Sequence, residues 1–597
     1  QSGTYTNTQR DRFSLTAGLD IQPVKNWFIF FDYTYKLMDL EYEALNVSPL
    51  IYGADGVSTS KGVRDELGVS PDGKFTRYYA HTRYQSINLY SNYLFTLGDK
   101  HNFTVMAGYQ EENNDYSYMK NSITGLYSTS NPNVGMGTGD KTVVDTRNGW
   151  ATRGFFGRVN YDYDGRYLLE LNGRYDGSSR FAKGNRWGFF PSASLGWNIT
   201  REQFMMPIAD VVSNLKLRAS YGLLGNQAGA ALYTFAATMD LNDKLGNYIF
   251  SDGRHIFTKA PAVVNPNTTW EKVESKNIGL DFGFFGNSLT GSFDVFQRDT
   301  KDMLGPTVDF PDFFGADAPK TNNARMRNRG WELAANYFDQ KGDWAWQAGF
   351  SLSGVKNEIT DMKGVEDIKD NTINREGEAI GSYYGLKAIG IYRTQADLDR
   401  VNANGQKIMQ NNQEPQLGDI MYEDIDNNGN INDADRTVIG NPFPKMQYSF
   451  NLGFSYKDFD VNTFWQGIAG VYRYNWDETT ISNGGNKTSR WLDRWSESNP
   501  DGSMPRLGGT INNNYSSFWL TKGDYLRLKN LEIGYTFRQR EFLTKLGVQS
   551  LRLYLAGTNL LTFTSLDDYD PEKLSTDSRN DVHPNTRTYS FGVNVKF

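Results

Sequence analysis

No cysteine occurs among the 597 residues, which removes disulfide scaffolds, thiol nucleophiles and zinc–thiolate sites. Histidine is nearly as scarce: His81, His101, His255 and His583 lie far apart, without metal-ligand spacing. No apolar run approaches the roughly 18 residues a spanning helix needs, and mean hydropathy is −0.60, so the chain is not a helical membrane protein. Basic runs are missing as well. Sixty-two Lys+Arg stand against 69 Asp+Glu, a formal charge of −7, and a nucleic-acid binder shows instead a Lys/Arg patch. No H-E-x-x-H, G-x-S-x-G, P-loop or strand-following G-x-G-x-x-G is found. Carboxylate pairs are what an acidic chain carries anyway, so the sequence reads as a non-enzyme. The chain opens on Gln1 with no Met, basic n-region or apolar h-region, so no signal peptide is visible; the expectation is a cleaved leader or a fragment.

What is present is aromatic: 37 Phe, 36 Tyr and 13 Trp beside 59 Gly, far from a disordered composition. These rings fall into segments of strict apolar/polar alternation, the signature of tilted transmembrane strands of about 9–11 residues. In 13–21, Phe13, Leu15, Ala17, Leu19 and Ile21 share one face while Ser14, Thr16, Gly18 and Asp20 share the other. The pattern returns at 27–36, 86–97, 101–112, 153–163, 166–176, 188–198, 214–224, 275–285, 288–298, 330–338, 344–355, 448–456, 459–467, 525–537, 549–558 and 588–597. With the first, that makes seventeen strands. A soluble β-propeller or β-helix would need a period of about 20–50 residues, and no internal repeat is present.

The connections alternate. Those at 22–26, 98–100, 164–165, 286–287, 339–343 and 457–458 are short, whereas 37–85, 113–152, 225–274, 299–329, 356–447 and 468–524 are long. Two on the short side, 199–213 and 538–548, have room for a helical turn. Short periplasmic turns and long outer loops are the habit of outer-membrane barrels. If the last strand descends, so does the first, and Gln1 lies outside. Single-chain bacterial barrels have an even strand number with both termini periplasmic, so an odd number of strands is expected upstream. In a barrel of about 22 strands with a plugged lumen, five strands and the plug are expected to be missing.

Three features carry further signal. The chain ends on an alternating strand, with Tyr589, Phe591, Val593, Val595 and terminal Phe597 on one face. Residues 424–435 match the calcium-loop pattern D-x-[DN]-x-[DN]-G. Asp424, Asp426 and Asn428 occupy positions one, three and five, Gly429 the turn, the Asn430 carbonyl position seven, Asn432 the water-mediated position, and Asp435 position twelve. An oxygen set of this kind suits Ca²⁺, with Mg²⁺ second. Asp435 replaces the usual Glu, which shortens its reach. The expected role is to brace a long outer loop. Third, the loops are rich in rings, at Tyr472, Tyr474, Trp476, Trp491, Trp495 and Trp519. Such rings stack on sugars or hold peptides, but more commonly join loops to one another or meet a partner protein.

Several long motifs resemble the SusC-like (SusC/RagA) TonB-dependent transporters of Bacteroidetes outer membranes. They are RYDGSSRFAKGNRWGFFPSASLGW at 174–197, LKLRASYGLLGNQ at 215–227 and NPNTTWEKVESKNIGLDFGFF at 265–285. The 418–461 stretch that contains the calcium-like loop is another, followed by YLRLKNLEIGYTF at 525–537 and TNLLTFTSLDDYDPE at 558–572. The resemblance implies a 22-stranded barrel with an N-terminal plug and TonB box, of which residues 1–597 would be the C-terminal barrel portion. It implies a SusD-like surface lipoprotein as lid, TonB as energy coupler through the missing segment, and import of oligosaccharides or oligopeptides across the outer membrane. A passive porin and a surface adhesin are the alternatives. Glycan or peptide cargo, and whether barrel–lid pairs dimerise, stay open in the sequence.

Overall fold

The computed structural model describes all residues except 1–3, 48–50, 53–57, 60–72, 238–240, 243–256, 259–260, 476–487, 539–540, 546, 567–569 and 573–583. Trp476, His255 and His583 thus lie outside the described residues. Seventeen strands form a single large antiparallel sheet. They are β1 Tyr5–Val24, β2 Trp27–Asn46, β3 Lys74–Leu97, β4 His101–Thr124, β5 Lys141–Tyr163, β6 Tyr167–Ser178, β7 Trp187–Asn198, β8 Val212–Asn226, β9 Glu271–Phe284, β10 Leu289–Gly305, β11 Thr321–Lys341, β12 Trp344–Asp361, β13 Met446–Tyr456, β14 Phe459–Ala469, β15 Tyr525–Arg538, β16 Ser550–Thr564 and β17 Thr588–Lys596. Each contains or overlaps one of the alternating segments. Among the described helices, none is long and apolar enough to cross a membrane.

The chain divides into two compact units, one made of 1–194, 222–272 and 309–322, the other of 195–221, 273–308 and 323–597. In the first, β1 to β6 pair in sequence order as a meander. In the second, β11 to β17 do the same. The short turns are tight because their residues accept left-handed backbone. Asp164 and Gly165 both have positive φ (57° and 63°), as a two-residue hairpin turn requires. The mid-length connections do carry helical turns, at Ile199–Arg201, Gln203–Ile208 and Glu541–Lys545.

The strands of the first unit are longer than the alternation suggested: 86–97 becomes Lys74–Leu97 and 101–112 becomes His101–Thr124. The reason is a change of solvent along the strand. On one face of β2, Ile29, Phe31, Tyr33 and Tyr35 give way to Asp39, Glu41 and Glu43. Opposite them in register sit His81, Tyr79 and Arg77. His81 Nδ1 lies 2.7 Å from Asp39, Tyr79 donates to Glu41 at 3.1 Å and Arg77 pairs with Glu43. Cross-strand polar pairs of this kind continue a ladder without an apolar face. Beyond them Leu45, Phe75 and Ile123 close a small fully buried cluster.

In the second unit the long connections build a folded body of their own. Leu386, Ile408, Ile420, Tyr422, Ile431, Trp491, Met504, Ile511 and Trp519 form its core. Asp419, fully buried, accepts from Arg506 Nε at 2.6 Å and from Gln416 N at 2.8 Å, and so ties segment 356–447 to 468–524. Gly418 must be glycine: its φ is +86°, and a Cβ would strike the Trp495 ring at 2.4 Å.

Candidate functional site

Two features could carry function: the polar face of the sheet and the 424–435 loop. On the polar face, cations are shared among carboxylates of neighbouring strands. Arg218 of β8 grips Asp294 of β10 through Nη1 and Nη2, both at 2.7 Å, while its Nε donates to Asp281 of β9 at 3.1 Å. Asn277 adds an amide donor to Asp294 at 2.9 Å. Arg552 of β16 bridges Asp460 of β14 (2.5 Å) and Glu532 of β15 (2.6 Å). In the first unit Arg174 donates to Asp176 at 2.9 Å and Gln110 at 3.3 Å, and Arg158 to Asn172 at 2.7 Å. Bidentate guanidinium–carboxylate forks hold direction as well as charge, so this face is a stiff, wet, charge-paired wall. Asn277 and Asp281 of the alternating segment 275–285 lie on this polar face. Arg218, Arg552 and Arg174 were not singled out by sequence. Their signal, an Arg on the polar parity opposite a carboxylate, exists only once strand register is known.

The opposite face is apolar and bare. Phe13, Leu89, Phe155, Leu195, Ile278, Leu452, Leu555 and Phe591 are all exposed, at positions that alternate with the polar set. Tyr175 and Trp187 stack at 4.9 Å, and Trp344 packs on Tyr456 at 4.1 Å. Water does not tolerate so continuous an apolar surface.

The 424–435 loop is held at both ends. Short strands Met409–Gln410 and Asn430–Ile431 run parallel beside it, and Ile431 is anchored in the core of the loop body. Asn427 and Gly429 take positive φ (57° and 79°). Asn402 and Asn404 donate side-chain amides to the Asn427 carbonyl at 2.9 and 2.8 Å. Asn432 caps the turn Asp433–Asp435, accepting from Ala434 N, while Asp435 accepts from Asn432 N. The geometry brings one oxygen each of Asp424, Asp426 and Asp435 within 4.8 Å of one another. Their donors are backbone N–H groups and an amide: Gly429 N to Asp424 at 3.0 Å, Ile425 N to Asp435 at 2.8 Å, Asn428 N and Nδ2 to Asp426 at 3.0 and 2.8 Å. Asp424 Oδ1 is buried without a hydrogen-bond partner, an expensive state for a carboxylate oxygen. Asn428 Oδ1 accepts from Asn430 N, and the Asn430 carbonyl from Asn432 Nδ2; each oxygen retains a second lone pair. The donor set fits a hard divalent cation.

The loop rings turn inward. Trp491 and Trp519 are core residues, Tyr474 stacks on Tyr515 at 3.8 Å, and Tyr472 lies in a short strand pair with Lys522. Burial raises the Tyr515 phenol well above its ordinary range. These side chains join loops.

A family model described as TonB dependent receptor-like, beta-barrel matches residues 1–560. TonB-dependent receptor P3 of Formosa agariphila is 30% identical over 89% of this chain and 54% of its own length. TonB-dependent receptor SusC of Bacteroides thetaiotaomicron is 28% identical over 94% of this chain and 55% of its own. The chain therefore spans about half the length of these curated relatives. Among solved structures, that of the RagAB peptide transporter superposes with a TM-score of 0.80 at 23% identity, covering 100% of this chain and 63% of that one. This chain belongs to the TonB-dependent receptor-like β-barrel family, whose members are outer-membrane transporters rather than enzymes.

Proposed function

We propose that the chain is the barrel portion of an outer-membrane nutrient importer that takes up oligosaccharides or oligopeptides by TonB-dependent active transport, with a SusD-like lipoprotein as lid. The observation that carries this reading is the two-faced sheet: an exposed apolar face suited to lipid, backed by a wall of Arg–carboxylate forks suited to a water-filled passage. The fold likeness to a peptide transporter favours the same conclusion. Substrate would be captured outside among the long loops, held above a plug and released inward when TonB acts on the plug. TonB would be engaged through a segment outside this chain.

The 424–435 loop is proposed to bind Ca²⁺, with Mg²⁺ second, through Asp424, Asp426, Asn428, the Asn430 carbonyl and Asp435. The ion would neutralise three close carboxylates and brace the loop body, with no catalytic part. Purifying the intact complex from native membranes and identifying its subunits and bound small molecules by mass spectrometry tests the importer. A co-purifying lipoprotein with an oligosaccharide or peptide supports it; a lone barrel without plug or cargo leaves a passive porin.

A further inference from the structure

In the first unit, β2 to β5 run on past their apolar band, and the two faces of that extension differ in charge. Asp39, Glu41 and Glu43 of β2 lie on one face, opposite His81, Tyr79 and Arg77 of β3. The residues between them point the other way, onto the face that carries Gln110 and Arg158 nearer the short turns. From the row of Lys36 and Tyr84 to the row of Ala44 and Thr76, no Asp or Glu of β1 to β5 occupies this second face.

What occupies this face is aromatic and cationic. Tyr42, Tyr78 and Tyr118, on three adjacent strands, form a ladder with ring centroids 4.4 and 5.3 Å apart. Tyr116 extends it along β4, 6.4 Å from Tyr118. The four rings are half-buried, so each keeps open surface, and their hydroxyls have no hydrogen-bond partner among the described residues. Lys36 of β2 lies 5.2 Å over the Tyr84 ring, and Lys120 of β4 stands in register with Tyr78. Arg10 and Arg12 of β1 stand in register with Leu40 and Met38 of β2. The ion pairs of this stretch, Arg77 with Glu43 and His81 with Asp39, are on the other face. Lys36, Lys120, Arg10 and Arg12 form none among the described residues. From Lys36 to Tyr42 is six residues, about 20 Å along the strand, room for several sugar rings end to end.

We propose that this face of β1 to β5 binds an acidic oligosaccharide, one whose sugars carry carboxylate or sulfate groups. The tyrosine rings offer flat apolar surface to the C–H faces of the sugars while their hydroxyls stay available to sugar hydroxyls. The four unpaired cations, on a face without carboxylates, take the anionic groups. A peptide fits less well. The backbone groups of β2 to β4 are all committed to their neighbours, so an extended chain finds no free edge there to pair with, and only side chains are on offer. The proposal rests on the importer reading in making this ligand the cargo. Binding is measured without transport, however, so the two readings fail separately.

The test is titration calorimetry on the purified intact protein in detergent. The probes are an oligogalacturonate, a sulfated galacto-oligosaccharide, the desulfated form of the latter, and a hexaglutamate peptide. Wild type is compared with Lys36→Gln/Lys120→Gln and with Tyr78→Leu, and a heat-modifiable band on gels shows that each variant is folded. Should the lysine variant not fold, Arg10→Gln/Arg12→Gln takes its place. The expected result is that one or both acidic sugars bind about tenfold tighter than the desulfated sugar and the peptide. Which of them binds identifies the anion as carboxylate or sulfate. The cation variant should lose about fivefold in affinity for the acidic sugar alone, and Tyr78→Leu should weaken acidic and desulfated sugars alike. Equal affinity for acidic and desulfated sugars, equal binding of hexaglutamate, or a cation variant that binds as wild type does overturns the proposal. A lipoprotein and a neutral glycan co-purifying with the protein would then leave the importer reading standing.

Discussion

Large side chains are treated in opposite ways by two regions of the second unit. On β16 and β17, Leu555 and Phe591 are 61% and 66% exposed. In the loop body, Ile420 and Tyr422 are fully buried and Trp519 is 4% exposed. The same residue types thus meet two solvents. The loop body is ordered by expelling water from its own core, whereas the sheet keeps its apolar face for hydrocarbon and needs only complete backbone pairing to stay there. Charge follows the same division. Arg552 sits on the wet face of β16, three residues from bare Leu555, while Arg506 is drawn into the loop body by buried Asp419.

The sharpest way to break this contrast is to remove a ring from the loop body. Trp519→Ala should destabilise that body by about 3–5 kcal/mol and leave the sheet folded, seen as early proteolysis of the loops with an unchanged heat-modifiable barrel band on gels. Next, Leu555→Arg should cost about 2–4 kcal/mol of insertion stability if that face is in lipid. Tyr554→Arg, one residue away on the wet face, should cost far less; equilibrium unfolding in liposomes compares them. A smaller effect is expected at the calcium loop. Millimolar Ca²⁺ on a site of extracellular strength should stabilise the loop body by about 1 kcal/mol. Chelation should reverse this, and Asp424→Asn should abolish the response. The smallest concerns Asp397. Burial pushes this carboxyl up, but N–H donation from Arg393 and Thr394 outweighs it and holds it below the ordinary range. A depressed carboxyl stabilises above its unfolded pKa and loses that contribution as pH falls through the folded value. The protection of the turn at Gln395–Leu398 against hydrogen exchange, taken relative to the intrinsic rate at each pH, should therefore fall below about pH 4, and Asp397→Asn should remove the dependence.

The sheet was legible because alternation has a period of two and needs no partner. Tyr589, Phe591, Val593 and Val595 declare a strand without knowledge of β16. Strand ends were not legible where both faces are polar: nothing local marks 113–124 as strand, and its order comes from β3 and β5 on either side. The convergence of Asp424, Asp426 and Asp435 was legible since the three carboxylates lie within twelve residues of one another. The core of the loop body was not, because Ile420 and Tyr422 meet Trp491, Ile511 and Trp519, roughly 70–100 residues away. That loop rings join loops to one another is the commoner reading of those tryptophans, but which residues they meet is not visible locally. Nor could the Arg forks be seen, since Arg218 and Asp294 meet across three strands.

The most direct test of the two-solvent account is spin labelling of the intact protein in liposomes at successive positions 553 to 557 of β16, with collision quenchers confined to lipid or to water. The account predicts strict alternation, with Leu553, Leu555 and Gly557 reached from lipid and Tyr554 and Ala556 from water. Uniform access to the water-soluble quencher at all five would contradict it.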